Sequence, residues 1–183
     1  MPVPSISLRK GLVEYNVLKA SEGKDPWSDS STIYLGIDPG LSGGIAVIKQ
    51  QTIEWFQMPK TEKDTWNLIR QFGEVPCRCI IEQIVPNLWG KGKSSVAKLY
   101  ANYMALRMAL TAAEIAFEDV TAGTWQKGIG IKRKKDEPRG QLKGRLRAKC
   151  QQFFPRISLW ERTKGEQLAV CDAILIALYC QRQ

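Results

Sequence analysis

The chain has 183 residues, of which 44% are apolar, and it contains no histidine. That length suits one domain with a sizeable core, and that composition excludes a disordered protein. No apolar run reaches the roughly 18 residues of a membrane-spanning helix. The net charge of +9 is concentrated rather than spread: residues 127–149 hold ten basic side chains against Asp136 and Glu137. A clustered positive field of this kind draws a polyanion and releases its counterions, so nucleic acid is the first partner to consider, with a solvated surface run as the bland alternative.

Residues 1–31 mix charge, Ser, Pro and Gly without periodicity and read as a disordered extension, without the apolar run of a secretory signal. The folded domain is expected over residues 32–183. Residues 33–37 read as a buried strand, 38–43 as a turn, 44–48 as the hairpin partner and 52–58 as a third strand. Residues 65–72 suit a short helix capped by Thr61 or Asp64, and residues 79–82 suit another short strand. The clearest helical periodicity runs over 94–117, where Val96, Leu99, Tyr103, Leu106 and Leu110 recur three or four apart, with Ser94 or Ser95 at the cap. Residues 116–120 are strand-like, residues 142–154 helical up to Pro155, and residues 166–180 form a last helix. Alternating strands and helices in this order predict an α/β domain with a mixed sheet. Cys77, Cys79, Cys150, Cys171 and Cys180 follow no zinc spacing and read as reduced thiols of an intracellular protein.

Three carboxylates stand in apolar surroundings on three different elements. Asp38 follows Ile33-Tyr34-Leu35-Gly36-Ile37, Glu82 follows Ile80-Ile81, and Asp172 is the only acid in the otherwise apolar stretch of residues 168–178. An isolated charge in such a setting costs several kcal/mol unless it is partnered. If the three converge they offer the hard oxygen donors that Mg²⁺ prefers, and a pair of such ions would activate water against a phosphodiester. Each acid also has a structural reading. Asp38 before Pro39-Gly40 is good turn chemistry, Glu82 can pair with an arginine, and Asp172 with a lysine. With no histidine as base, Ser-His and histidine-base mechanisms are excluded.

The stretch Ile33-Tyr34-Leu35-Gly36-Ile37-Asp38-Pro39-Gly40-Leu41-Ser42-Gly43-Gly44-Ile45-Ala46-Val47-Ile48 resembles the opening hairpin of the RuvC-type Holliday junction resolvases. Ile80-Ile81-Glu82-Gln83 resembles their second acidic strand, and Asp172-Ala173-Ile174-Leu175-Ile176-Ala177 their final helix, so the resemblance covers residues 32–181. The Asp-Pro-Gly-Leu-Ser-Gly form and the lysine-rich approach to the last helix are closer to the monokaryotic chloroplast resolvase branch than to the bacterial enzyme. The resemblance implies an RNase H-like mixed five-stranded sheet flanked by helices. It also implies a homodimer that nicks four-way junctions with Mg²⁺ or Mn²⁺, and Asp38, Glu82 and Asp172 as metal ligands. The family's further acid or histidine, one helical turn before the last aspartate, is Ala169 here. Glu166 is the nearest acid, and six residues back it does not share the Asp172 face of a regular helix.

DNA contacts are expected from two regions. The stretch between the Glu82 strand and the long helix carries Trp89, a candidate to stack on a base or a packing residue, with Lys91, Lys93 and Ser94 suited to phosphate. Lys132, Arg133, Lys134 and Lys135, followed by Lys143 and Arg147 on one helix face, would neutralise junction arms. Tyr100, Met104 and Met108 lie off the main apolar stripe of the long helix and suggest a dimer interface, with core packing as the alternative. Rival functions are a junction- or nucleic-acid-binding RNase H-like protein without catalysis, a nuclease of RNA-containing hybrids, and a kinase of the actin-like class. The last needs two such domains where the chain has room for one. A bacterial cytoplasm or nucleoid, a chloroplast or other organelle nucleoid, and a phage-infected cell are all compatible compartments.

Overall fold

Apolar residues alternate across a mixed sheet, and each face is covered by its own helices. The computed structural model describes residues 13–14, 32–50, 52–85, 93–155 and 164–183, with side chains from residue 94 and residue 168 onward in the helices that open the last two stretches. The strands are β1 (Val13–Glu14), β2 (Ile33–Asp38), β3 (Gly44–Lys49), β4 (Thr52–Gln57), β5 (Cys77–Glu82) and β6 (Ala116–Val120). Their order across the sheet is β1-β4-β3-β2-β5-β6. The β4-β3-β2 part is an antiparallel meander, whereas β5 and β6 run parallel to β2. Five of the strands form the sheet expected from the sequence. The sixth, Val13–Glu14, pairs with Thr52 and Ile53 at the edge. The rest of the expected N-terminal extension lies outside the described residues.

Helix α1 (Glu62–Ile69), continued by a 3₁₀ turn at Arg70–Phe72, and helix α2 (Lys93–Ala112) cover one face. There Leu35, Ile37, Ile45, Val47 and Ile81 pack against Leu68, Leu106 and Leu110. Helices α3 (Ala122–Gly128), α4 (Arg139–Phe153) and α5 (Lys164–Gln181) cover the other, where Tyr34, Ala46, Trp55 and Ile80 meet Trp125, Leu146 and the buried length of α5. Of the two candidate caps for α1 it is Thr61 that accepts the Asp64 amide, at 3.1 Å, so the helix begins one turn earlier than the apolar pattern suggested. Helix α2 begins at Lys93, which places Ser94 and Ser95 in its first turn rather than at its cap. It ends at Ala112, not Phe117, because Glu114 adopts a left-handed conformation with φ 57°. The turn frees Ala116–Val120 for the sheet. Helix α4 starts at Arg139, immediately after Pro138.

Side chains alternate between sheet faces along a strand. Asp38 shares the parity of Tyr34, and Glu82 that of Ile80, so both acids belong to the α5 face. Helix α5 crosses β2 at Gly36 with no side chain between them. A Cβ at Gly36 would lie 2.1 Å from the Ala177 amide nitrogen and 2.3 Å from the Ala173 carbonyl oxygen. Backbone atoms cannot yield as a flexible side chain does, and overpacking of a core costs about 1–3 kcal/mol or more. Gly36→Ala is therefore expected to destabilise the chain by at least the upper end of that range. Chemical denaturation of the two proteins measures it, and equal stability would show that α5 does not hold this position.

Candidate functional site

The carboxyl ends of β2 and β5 lie side by side, since Ile37 pairs with Ile81 in parallel register. The next residues along the two strands are Asp38 and Glu82. Asp38 opens the turn to β3: its Oδ1 accepts the Gly40 amide at 3.1 Å, and the Gly43 amide donates to the Gly40 carbonyl at 2.7 Å. Gly43 is required here, because a Cβ would fall 2.0 Å from the Asp38 carbonyl oxygen. Asn102 of α2 fixes the same turn from the other face of the sheet by donating to the Pro39 carbonyl at 2.9 Å. Asp38 thus serves the turn and still faces an open cleft.

That cleft, of about 560 Å³, is lined by Asp38, Gly40, Ser42 and Gly43 from the β2–β3 turn, by Arg139, Lys143 and Arg147 with Gly140 and Gly144 from α4, and by Leu168 and Ala169 from α5. The three cations recur every four residues and so project from one face of α4. One wall is basic, and the other carries the single carboxylate of Asp38.

Glu82 is held by a residue the sequence reading passed over. The indole Nε1 of Trp125, fully buried in α3, donates to Glu82 Oε2 at 2.7 Å. Helix α3 itself was not expected. Its only local signal is Thr121, which caps it by accepting the Thr124 amide. Burial pushes the Glu82 carboxyl above its ordinary range, and the nearby Asp38 charge adds to this. The Trp125 hydrogen bond and the charges of Lys143 and Arg139 oppose it.

Asp172 lies deep in α5 with 2% of its surface exposed. Its Oδ2 is paired with the Lys143 ammonium, whereas its Oδ1 is buried without a hydrogen-bond partner. The three carboxylates share a sheet face but do not close on one another: among the described residues, no three acidic or cysteine side chains are grouped as a metal-ligand set. Asp38 and Glu82 are brought together, and Asp172 is held by Lys143. Ala169 supplies no oxygen to the cleft. Glu166 belongs to α5, with its side chain outside the described residues.

The basic stretch is divided among several tasks. Arg145 makes two hydrogen bonds to the buried Glu137 carboxylate and also donates to the Lys132 carbonyl, and Lys149 lies over the Phe153 ring. Lys132, Arg133, Lys134 and Lys135 are exposed, and so is Ser94 in the first turn of α2. Trp89 and Lys91 lie outside the described residues, as does the side chain of Lys93. The five cysteines are free, and burial pushes Cys77 and Cys180 up to about 12, which leaves both thiols protonated. Among the described residues no helix is long and apolar enough to cross a membrane.

No protein-family model matches the chain, and no curated protein matches it. Solved structures do. T. thermophilus RuvC in complex with Holliday junction substrate superposes with a TM-score of 0.52 at 13% identity, over 81% of this chain and 91% of that one. The fold is that of RuvC. A second Thermus thermophilus RuvC structure gives a TM-score of 0.49 at 14% identity, over 80% and 92%. Neither structure favours the chloroplast resolvase branch. The RuvC-like, RNase H-like frame accounts for the mixed sheet and for α5 across β2.

Two expectations follow for the site. Trp125→Phe removes the indole that donates to Glu82 Oε2, and loss of a hydrogen bond that orients a metal-ligating group typically costs about 10–100-fold in activity or metal affinity. Affinity for DNA should be unchanged, and a proportional loss of both would assign Trp125 to folding alone. Because the Glu82 pKa is raised on folding, the folded state binds more protons above the ordinary carboxylate value, and stability falls as pH rises through the raised value. In chelator at neutral pH, Glu82→Gln is expected to raise Tm by a few degrees, and the gain should vanish below the ordinary carboxylate pKa. Thermal melts across pH check this, and a lower Tm at neutral pH would contradict it.

Proposed function

We propose that the chain is a metal-dependent, structure-selective DNA endonuclease that resolves four-way junctions. The observation that carries this reading is the cleft, where Asp38 at the end of β2 faces Arg139, Lys143 and Arg147 of α4, with Glu82 ending the neighbouring strand and Asp172 paired to Lys143. A phosphodiester is the substrate that needs both. Cations hold its oxygens, and hard oxygen donors hold the ion that activates it. The donor set suits Mg²⁺ or Mn²⁺, and the buried, unpartnered Asp172 Oδ1 is the kind of atom a cation satisfies. Bound by Asp38, Glu82 and Asp172, such an ion would lower the pKa of a water and offset charge on the phosphate.

The chain's own groups do the rest. Trp125 fixes Glu82 and the Gly40 amide fixes Asp38, while Arg139 and Arg147, which line the cleft, would take backbone phosphates. The RuvC fold, seen in T. thermophilus RuvC bound to a Holliday junction substrate, supports a four-way junction over a linear duplex as the target. Exposed Tyr100, Met104 and Met108, one turn apart along α2, support a homodimer presenting two such clefts. Lys132, Arg133, Lys134 and Lys135 extend the positive surface along which junction arms would lie. Glu166 is a candidate fourth acid. A second reading, a junction-binding protein without catalysis, is favoured by Ala169 and by the Lys143–Asp172 pair.

Cleavage of a labelled four-way junction beside a linear duplex, with Mg²⁺ or with chelator, separates these readings. Symmetric nicks confined to the junction and lost in chelator are expected, and Asp38→Asn should abolish them while sparing junction binding. Binding without cleavage in Mg²⁺ or Mn²⁺ would select the second reading, and cleavage retained by Asp38→Asn would overturn the assignment of the site.

A further inference from the structure

We propose that the buried Glu137 is a positioning residue for nucleic-acid binding, which holds Lys132, Arg133, Lys134 and Lys135 as a preformed cradle for a sugar–phosphate backbone. This deepens the reading of those four cations as a surface for junction arms, and it is independent of any metal. By charge alone Glu137 should oppose such a partner, since it follows the cations and cancels one of them. Its contacts give it the opposite effect.

The four cations lie on a loop pinned at both ends. Before them Ile131 is buried, and its amide donates to the Gln126 carbonyl at 2.7 Å. After them Glu137 is buried, with 7% of its surface exposed. The cationic residues between are all exposed. Arg145 of α4 donates to Glu137 Oε1 at 2.8 Å and Oε2 at 3.0 Å, and to the Lys132 carbonyl at 3.3 Å. Glu137 Oε2 also accepts the Lys134 amide at 3.1 Å, while the Glu137 amide donates to the Lys134 carbonyl at 3.3 Å. Arg133 closes the loop by donating to the Glu137 carbonyl at 3.5 Å. Backbone groups of Lys132, Lys134 and Glu137 are thus fixed around one buried ion pair.

Like charges set this close repel, and a free loop would splay them. A fixed backbone removes ordering that a partner would otherwise have to impose. The clamp comes from α4, whose Arg139, Lys143 and Arg147 line the cleft, so loop and cleft cations are held in one frame. An extended polyanion that meets both is a nucleic-acid backbone.

Binding of a labelled four-way junction in chelator, measured over a range of salt, tests this. Glu137→Gln makes the chain one unit more positive, so charge counting predicts tighter binding. The expected result is binding weaker by about 3–10-fold, the scale of ordering one long side chain, with a shallower salt dependence as phosphate contacts are lost. Binding as tight as the wild type, or tighter, would overturn the inference. The triple variant Lys132→Gln, Lys134→Gln, Lys135→Gln should also bind more weakly with a shallower slope. If it matches the wild type, the reading of these cations as a nucleic-acid surface fails, and the inference with it. If it weakens binding while Glu137→Gln does not, the inference alone fails. Should Glu137→Gln not fold, amide hydrogen exchange in the wild type decides: the Lys134 amide is expected to be protected, and exchange at the rate of an unstructured loop would refute a preformed cradle.

Discussion

The nearness of α5 to β2 is the constraint from which the site follows. The helix meets the strand backbone to backbone, because Gly36 offers no side chain and Ala173 and Ala177 offer almost none. Asp172 adjoins Ala173, so a carboxylate is carried to the strand ends by packing and not by any attraction of its own. The same packing surrounds it with apolar groups that cannot donate hydrogen bonds. One oxygen is consequently left without a donor, and the other depends on a lysine from a separate helix. Breaking such a buried pair by removing one partner costs about 3–5 kcal/mol. The two apolar layers on either side of the sheet must supply the stability that the acids withhold.

Short apolar runs and the isolated acids that end them made these strands, and Asp38 and Glu82 at their ends, legible in the sequence. That the two acids share a face was not, because it depends on Ile37 pairing with Ile81, a register that no local pattern encodes. The end of α2 was missed for a related reason. The apolar pattern runs on through Ile115 and Phe117, while the break comes from one residue, Glu114, in a left-handed conformation. Helix α3 has seven residues and two glycines, too short a span for helical periodicity to emerge. Trp125 was therefore invisible as the partner of Glu82, although an aromatic with a donor is the type of side chain that stays buried only when its N–H is satisfied.

The basic stretch shows what charge counting leaves out. Ten cations in sequence look like a single patch, yet their partners sort them. Arg145 supports the buried Glu137, Lys149 lies over Phe153, and Lys143 compensates Asp172. Arg139 and Arg147 remain along the cleft on the same face of α4 as Lys143. A spacing of four on a helix thus separates tasks that composition merges, since neighbours in sequence point to different surroundings.

Likeness of fold at 13% identity speaks for the frame, and the frame alone does not fix the chemistry. In this chain the carboxyl ends of two adjacent parallel strands carry acids, and the last helix is laid across β2. What this chain adds is its own balance of charge, with an alanine one turn before Asp172 and a lysine from α4 in contact with it. Because the charge that compensates Asp172 of α5 comes from Lys143 of α4, the state of the site depends on how those two helices pack. The helix that bears Arg139 and Arg147 and the helix that bears the buried acid are thus tied through one ion pair, so a shift of either is felt at the other.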